Sequence, residues 1–207
     1  MALGGVLSFL GASMGFIPYI GMILCLLFSF FPLGYSYKIF RDHLLGGEGP
    51  LPKWGEWGYL FSRGLVVFLI ALGYGIIPWL LYRLGIAFWE GGGLAAFFGV
   101  IVLILGAGVA LVALFFLPMA LALYSLEGGS FVAAVQWERI GGKIRRVQGE
   151  YVSSWLSGLI LFLILFLLRS QLPYIGWILY AFGSFYLSLA MAHLFGKVCR
   201  EAEGRRP

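Results

Sequence analysis

Six long apolar runs, at about 2–17, 19–40, 60–82, 94–124, 151–168 and 174–196, alternate with short stretches that hold nearly all of the charge. The first two are continuous, with no charged residue before Lys38. As one straight helix, residues 2–40 would measure about 58 Å, against a hydrocarbon layer of about 30 Å. They have to fold back, and the break is expected at Pro18-Tyr19-Ile20-Gly21, where Pro18 and Gly21 supply turn chemistry and Tyr19 an interfacial aromatic. The tetrapeptide recurs as Pro173-Tyr174-Ile175-Gly176, and aligning the copies also matches Ser29 with Ser184, Phe30 with Phe185 and Phe40 with Phe195. A looser third copy is Gly75-Ile76-Ile77-Pro78-Trp79, and Phe30-Phe31-Pro32 resembles Phe116-Leu117-Pro118. The pattern predicts an all-α, polytopic helical membrane protein in one domain over 1–207. About six transmembrane helices would form three helical hairpins, with two interfacial amphipathic segments.

The polar positions orient these spans. Lys38, Arg41, Lys53, Arg63, Arg139, Lys143, Arg145, Arg146, Lys197, Arg200, Arg205 and Arg206 fall on one side, leaving only Arg83 and Arg169 of the 14 basic residues on the other. Basic residues select the cytoplasmic side of short loops, so both termini are expected there and the hairpin tips and the 83–93 loop outside. The opening run carries no charge to orient it, and as a short span it has a re-entrant alternative.

Trp54, Trp57 and Phe61, spaced by three and four, form one face of a segment over about 51–59, with Lys53 and Glu56 off it. Over about 130–148, Ala133, Trp137, Ile140, Ile144 and Val147 make a second stripe, flanked by Arg139, Lys143, Arg145 and Arg146 against Glu138. Gly141-Gly142 weakens a helix there by about 1 kcal/mol per glycine, which allows two short pieces. Both segments are expected to lie in the headgroup layer of the inner leaflet, with anionic membrane lipid as partner.

Composition agrees with the spans. The chain is 61% hydrophobic and 11% charged, whereas soluble domains are about half apolar and a quarter charged. No basic region precedes the first run, so that run is expected to stay in the mature protein. Cys25 and Cys199 are too few for a disulfide framework and read as a packing residue and an ordinary thiol. Helices in lipid associate through small residues, which recur at Gly11 and Gly15, at Gly21, Cys25 and Ser29, and at Ser184, Ser188, Ala192 and Gly196. These are expected packing faces, with self-association or association with other membrane subunits as the alternative use. Pro32, Pro78 and Pro118 should kink their spans.

Candidate chemistry is sparse. No ionisable residue falls near the middle of a predicted span, which disfavours coupled transport through a buried carboxylate. Leu72-Gly73-Tyr74-Gly75 lacks the threonine and pore helix of a potassium filter, and Gly106-Ala107-Gly108 lacks the third glycine of a dinucleotide loop. No cofactor, metal motif, catalytic spacing or nucleic-acid partner is expected. His43 and His193 could ligate a metal or haem only if their helix ends met; otherwise they are interfacial polar side chains. A gathering of His43, His193 and Glu56 would be the minimum for an enzyme.

Gly34-Tyr35, Arg41, Gly46-Gly47, Leu51-Pro52, Trp54, Trp57-Gly58, Leu60-Phe61 and Gly64-Leu65, with a looser block at Pro118 and Tyr124, resemble the signature of an uncharacterised prokaryotic multi-span membrane protein family, the domain of unknown function 4013. Lys53 and Gly55 depart from the more acidic surroundings of Trp54 in that family. The resemblance implies a prokaryotic cell membrane and supplies no catalytic residues. The expectation is a non-enzymatic structural or accessory subunit, or a lipid-interacting scaffold. A small transporter or channel for an uncharged or lipid-like solute is the alternative, with Ser29, Tyr35 or Tyr74 lining its path.

Overall fold

The computed structural model describes residues 3–7, 20–47, 49, 51–172 and 175–204. After the helical residues 3–7 (α1) come α2 (Ile20–Leu44), α3 (Trp57–Glu90), α4 (Gly93–Leu126), a 3-10 turn (Ala133–Val135), α5 (Trp137–Arg146), α6 (Gln148–Gln171) and α7 (Ile175–Ala202). No strand occurs among the described residues. Within these residues, α2, α3, α4, α6 and α7 are long and apolar enough to cross a membrane, so this is a multi-pass membrane protein. Most of the expected span 2–17, with Pro18, Tyr19, Pro173 and Tyr174 of the two turn motifs, lies outside the described residues.

Three boundaries differ from expectation. The 83–93 loop is mostly helix, because nothing breaks α3 until Gly91 and Gly92, and α4 starts at Gly93; Gly92 and Gly93 take positive φ of 68° and 53°. Such angles suit residues without a Cβ. Residues 51–56 are not helical, so Trp54, Trp57 and Phe61 do not form one helical face. Pro52 withholds a backbone donor and Gly55 favours a turn, and α3 begins only at Trp57. In α5, by contrast, the helix runs through Gly141-Gly142, and the break falls earlier, at Gln136.

The chain divides into two compact units, one of residues 1–68 and 142–207, the other of residues 69–141, with α3 and α5 each contributing to both. In the first unit, α2 and the start of α3 cross where Gly34 meets Gly64. A Cβ on Gly34 would lie 1.8 Å from the Leu60 carbonyl oxygen, and one on Gly64 would lie 1.8 Å from that of Phe30. The relation is reciprocal, since each glycine faces the carbonyl one turn before the other glycine. α7 packs on both α2 and α6. Ser36 and Ser188 hydroxyls lie 3.0 Å apart between α7 and α2, and Gly196 abuts Phe40 and His43. Gly183 faces Leu165, and Gly158 faces Met191, between α7 and α6.

In the second unit the α3–α4 hairpin closes on its own glycines. A Cβ on Gly99 would meet Gly85 O at 2.8 Å and Trp89 N at 2.7 Å, and one on Gly106 would meet the Leu81 side chain at 3.1 Å. Apolar helices in lipid gain no hydrophobic drive to associate, so close backbone approach is what holds such a pair.

Candidate functional site

Polar side chains with specific partners concentrate at the end of α2 and the start of α3. α2 stops at Leu44, Gly46 follows at a φ of 91°, and the Gly47 amide closes the turn on Asp42 O at 2.7 Å. The connection then returns along α2. The Tyr35 hydroxyl donates to Pro52 O at 2.8 Å, and the Tyr35 ring, only 2% exposed, stacks on Trp54 with centroids 4.2 Å apart. Trp54 also approaches Trp57 at 6.0 Å and Phe185 of α7 at 6.2 Å. Trp57 and Phe61 pack against Phe31. The expected lipid-facing tryptophans therefore divide their work: Trp54 pins the connection to the helices, while Trp57 stays exposed.

One ring gathers the charges of this corner. Lys38 Nζ lies 5.6 Å and the Arg63 guanidinium 5.3 Å from the centroid of Tyr59, and Arg41 donates to the Tyr59 hydroxyl at 3.3 Å. Cations over an aromatic face are attracted to its quadrupole. Glu56 pairs with Lys38 at 2.7 Å and is itself well exposed. Three basic side chains thus share one tyrosine.

The two histidines meet, although they lie far apart in sequence. His43 Nε2 and His193 Nδ1 are 2.8 Å apart, and His43 Nδ1 is 2.9 Å from Ile39 O. A carbonyl only accepts, so His43 Nδ1 carries a proton; in the neutral ring Nε2 then accepts from His193 Nδ1. The result is a cross-helix latch between α2 and α7, at the level where Gly196 lets the backbones approach. A cleft of about 400 Å³ beside it is lined by Ile39, Asp42, His43, Leu45, Leu51 and Pro52 among others. Among the described residues no three His, Cys, Asp or Glu side chains gather as a metal site. The third member of the enzyme constellation, Glu56, is engaged by Lys38 instead.

The basic residues of α5 are partly committed. Lys143 pairs with Glu203, and Arg139 pairs with Glu127 at 2.5 Å and with Gln136 at 2.5 Å, leaving Arg145 and Arg146 exposed. The stripe expected to meet lipid divides: Ile140 and Ile144 are buried, and Trp137 is exposed. Trp137 lies at the edge of a second, smaller cavity of about 220 Å³ with Leu69, Ile70, Gly73, Tyr74 and Phe131. There the Tyr74 hydroxyl donates to Ala134 O at 2.6 Å, and the Trp137 ring contacts Tyr74 and Phe116.

Of the expected packing residues, Ser188 and Gly196 face α2, and Ala192 is buried. Ser29 and Ser184 turn back on their own helix, to Cys25 O and Ala181 O. Cys25 is partly exposed and Cys199 fully buried. Gly11 and Gly15 fall outside the described residues, and of Gly21 only its place in α2 is described. The sequence reading did not single out Tyr59, Ser36 or the Tyr74–Ala134 contact. Tyr59 had one signal, its place beside the tryptophans and within a helical turn of Arg63.

A family model described as a protein of unknown function (DUF4013) matches residues 17–174. No curated protein matches. No solved structure matches either. The residues that carry the resemblance coincide with the corner just described: Gly34 and Gly64 make the crossing, Tyr35, Pro52 and Trp54 the stacked turn, and Arg41 the contact to Tyr59.

Proposed function

The chain belongs to the DUF4013 family, described only as of unknown function, and from that premise we propose that it is a non-enzymatic, lipid-interacting scaffold or accessory subunit of a prokaryotic cell membrane. Its termini lie on the cytoplasmic side, by the asymmetry of basic residues. The observation that carries the reading is the collar of Lys38, Arg41 and Arg63 on Tyr59 beside the exposed Trp57. Arg and Lys around an aromatic ring suit a lipid phosphate, and tryptophan suits the headgroup layer. Each cation near an anionic leaflet contributes about 1 kcal/mol, and Lys38 already holds Glu56, so Arg41 and Arg63 supply up to about 2 kcal/mol before salt screening.

The test is native mass spectrometry of protein released from nanodiscs of mixed zwitterionic and phosphatidylglycerol lipid. Lys38→Gln, Arg41→Gln and Arg63→Gln together should abolish retention of the anionic lipid. Arg139→Glu, Lys143→Glu and Arg146→Glu should weaken it less, because two of those three cations already hold carboxylates. If the collar variant keeps its anionic lipid, the collar only sets topology. The alternative, a small transporter or channel, draws on the apolar cavity at Tyr74. Of the other residues expected along a path, Ser29 bonds to Cys25 O and Tyr35 to Pro52 O, which favours the scaffold.

A further inference from the structure

The connection between α4 and α5 leaves and returns at one point. Glu127, just after α4, and Arg139, in the first turn of α5, form the 2.5 Å ion pair that closes the loop between them. From Phe131 to Val135 the segment carries no polar side chain, and Phe131, Val132, Val135 and the following Trp137 are all exposed. Much of its backbone is nevertheless paired. The amides of Ala133, Ala134, Val135 and Gln136 donate to Ser130, Phe131, Val132 and Ala133, and the Ala134 carbonyl receives the Tyr74 hydroxyl. Non-helical backbone is tolerated at membrane depth where it packs on protein or lines a cavity, and Phe131, Ala134 and Val135 line the cavity beside Tyr74.

The position of Tyr74 sets the depth. It lies eleven residues after Arg63 and nine before Arg83 on the continuous helix α3. Twenty residues of helix measure about 30 Å, the thickness of the hydrocarbon layer, so with each arginine at an interface Tyr74 sits near the middle. The cavity beside it is apolar, and its one hydroxyl is already bonded to Ala134. Apart from the Trp137 indole N–H, no side-chain polar group lining it is left to recognise a polar ligand. Its floor is Gly73, where an added Cβ would meet nothing within 4 Å.

We infer that residues 131–135 form a re-entrant wedge in the hydrocarbon layer and, with Gly73, Tyr74 and Trp137, a groove that holds one lipid acyl chain. The inference rests on reading the chain as a lipid-interacting membrane protein and names the chain-binding part of that role. Two measurements test it. First, a nitroxide on Val135→Cys in full-length protein in nanodiscs should be relaxed by oxygen and protected from a polar nickel chelate, placing it more than about 10 Å below the phosphates, well inside the half-thickness of the hydrocarbon. A label at headgroup depth or in water overturns the wedge. Second, Gly73→Leu should fill the groove and retain one lipid fewer than wild type by native mass spectrometry, while Gly108→Leu, also in open space on α4, retains the full number. Unchanged lipid number in Gly73→Leu overturns the groove. A wild-type dimer that Gly73→Leu converts to monomer also overturns it, because the occupant is then a second copy. Anionic-headgroup preference should persist in Gly73→Leu, so failure of the groove and failure of the collar are separately visible.

Discussion

The first unit and the α3–α4 hairpin of the second solve the same problem by different means. In the first, 39% of the α2 span is buried, and its close glycine contacts are joined by named side-chain partners: Tyr35 with Pro52, Ser36 with Ser188, His43 with His193, and three cations with Tyr59. In the second, only 6% of the α4 span is buried, and the hairpin is held by glycines that bring backbones together. The lesson is one of solvent. Where a helix is surrounded by protein, polar groups can be paired and so can specify position; where it meets lipid, an unpaired polar group is costly and shape alone must specify position.

The largest effect should come from breaking the glycine crossing. Gly34→Leu or Gly64→Leu drives a side chain into a carbonyl with no flexible neighbour to yield, at a cost of about 3 kcal/mol or more. Thermal unfolding in detergent should show it as loss of folded protein. Gly108→Leu, in open space, should leave the midpoint unchanged, and a comparable loss there would erase the distinction between crowded and lipid-facing glycines.

The two tyrosines give an intermediate effect and a sharper contrast. Tyr35→Phe removes the donor to Pro52 O, and Tyr74→Phe removes the donor to Ala134 O, each leaving a carbonyl short at a cost of about 1–3 kcal/mol. Stability should fall in both. Anionic-lipid retention should fall only in Tyr35→Phe, because the turn it pins leads into the collar. A loss of retention in Tyr74→Phe would mean that the second unit also selects headgroups.

The smallest effect should be at the histidine latch. A part-buried hydrogen bond is worth about 1 kcal/mol, so His43→Ala and His193→Ala should each lower stability by about that much. The double variant should cost little more than either single one, a coupling that a thermodynamic cycle measures directly. Additive losses would show that each ring acts through its own packing and that the latch contributes nothing.

Five of the six expected spans were legible as long helices because hydrophobic length is a local property. The runs at 60–82, 94–124 and 151–168 lie inside α3, α4 and α6, and those at 19–40 and 174–196, from their second residues, inside α2 and α7, each helix longer than the apolar run that marked it. Helix ends were less legible, since a charged residue such as Arg83 ends an apolar run without ending a helix. Only backbone chemistry does that, as Gly91 and Gly92 do. The tryptophan face was misread for a related reason: spacing of three and four implies a shared face only if the intervening backbone is helical, and Pro52 and Gly55 keep it from being so.

Partner choice belonged to the tertiary structure. Lys38, Arg41 and Arg63 are visible in the sequence as topological charge, but that they converge on Tyr59 depends on the glycine crossing that brings α2 against α3. The stripe Ala133, Trp137, Ile140, Ile144 and Val147 has a helical period, yet only the folded chain shows that Ala133, Ile140 and Ile144 are buried and Trp137 exposed. Sequence by itself determined that the chain enters the membrane repeatedly, because transfer of apolar surface sums residue by residue. Which residues touch was set only in the folded chain, because hydrogen bonds and close contacts depend on distances that no local pattern encodes.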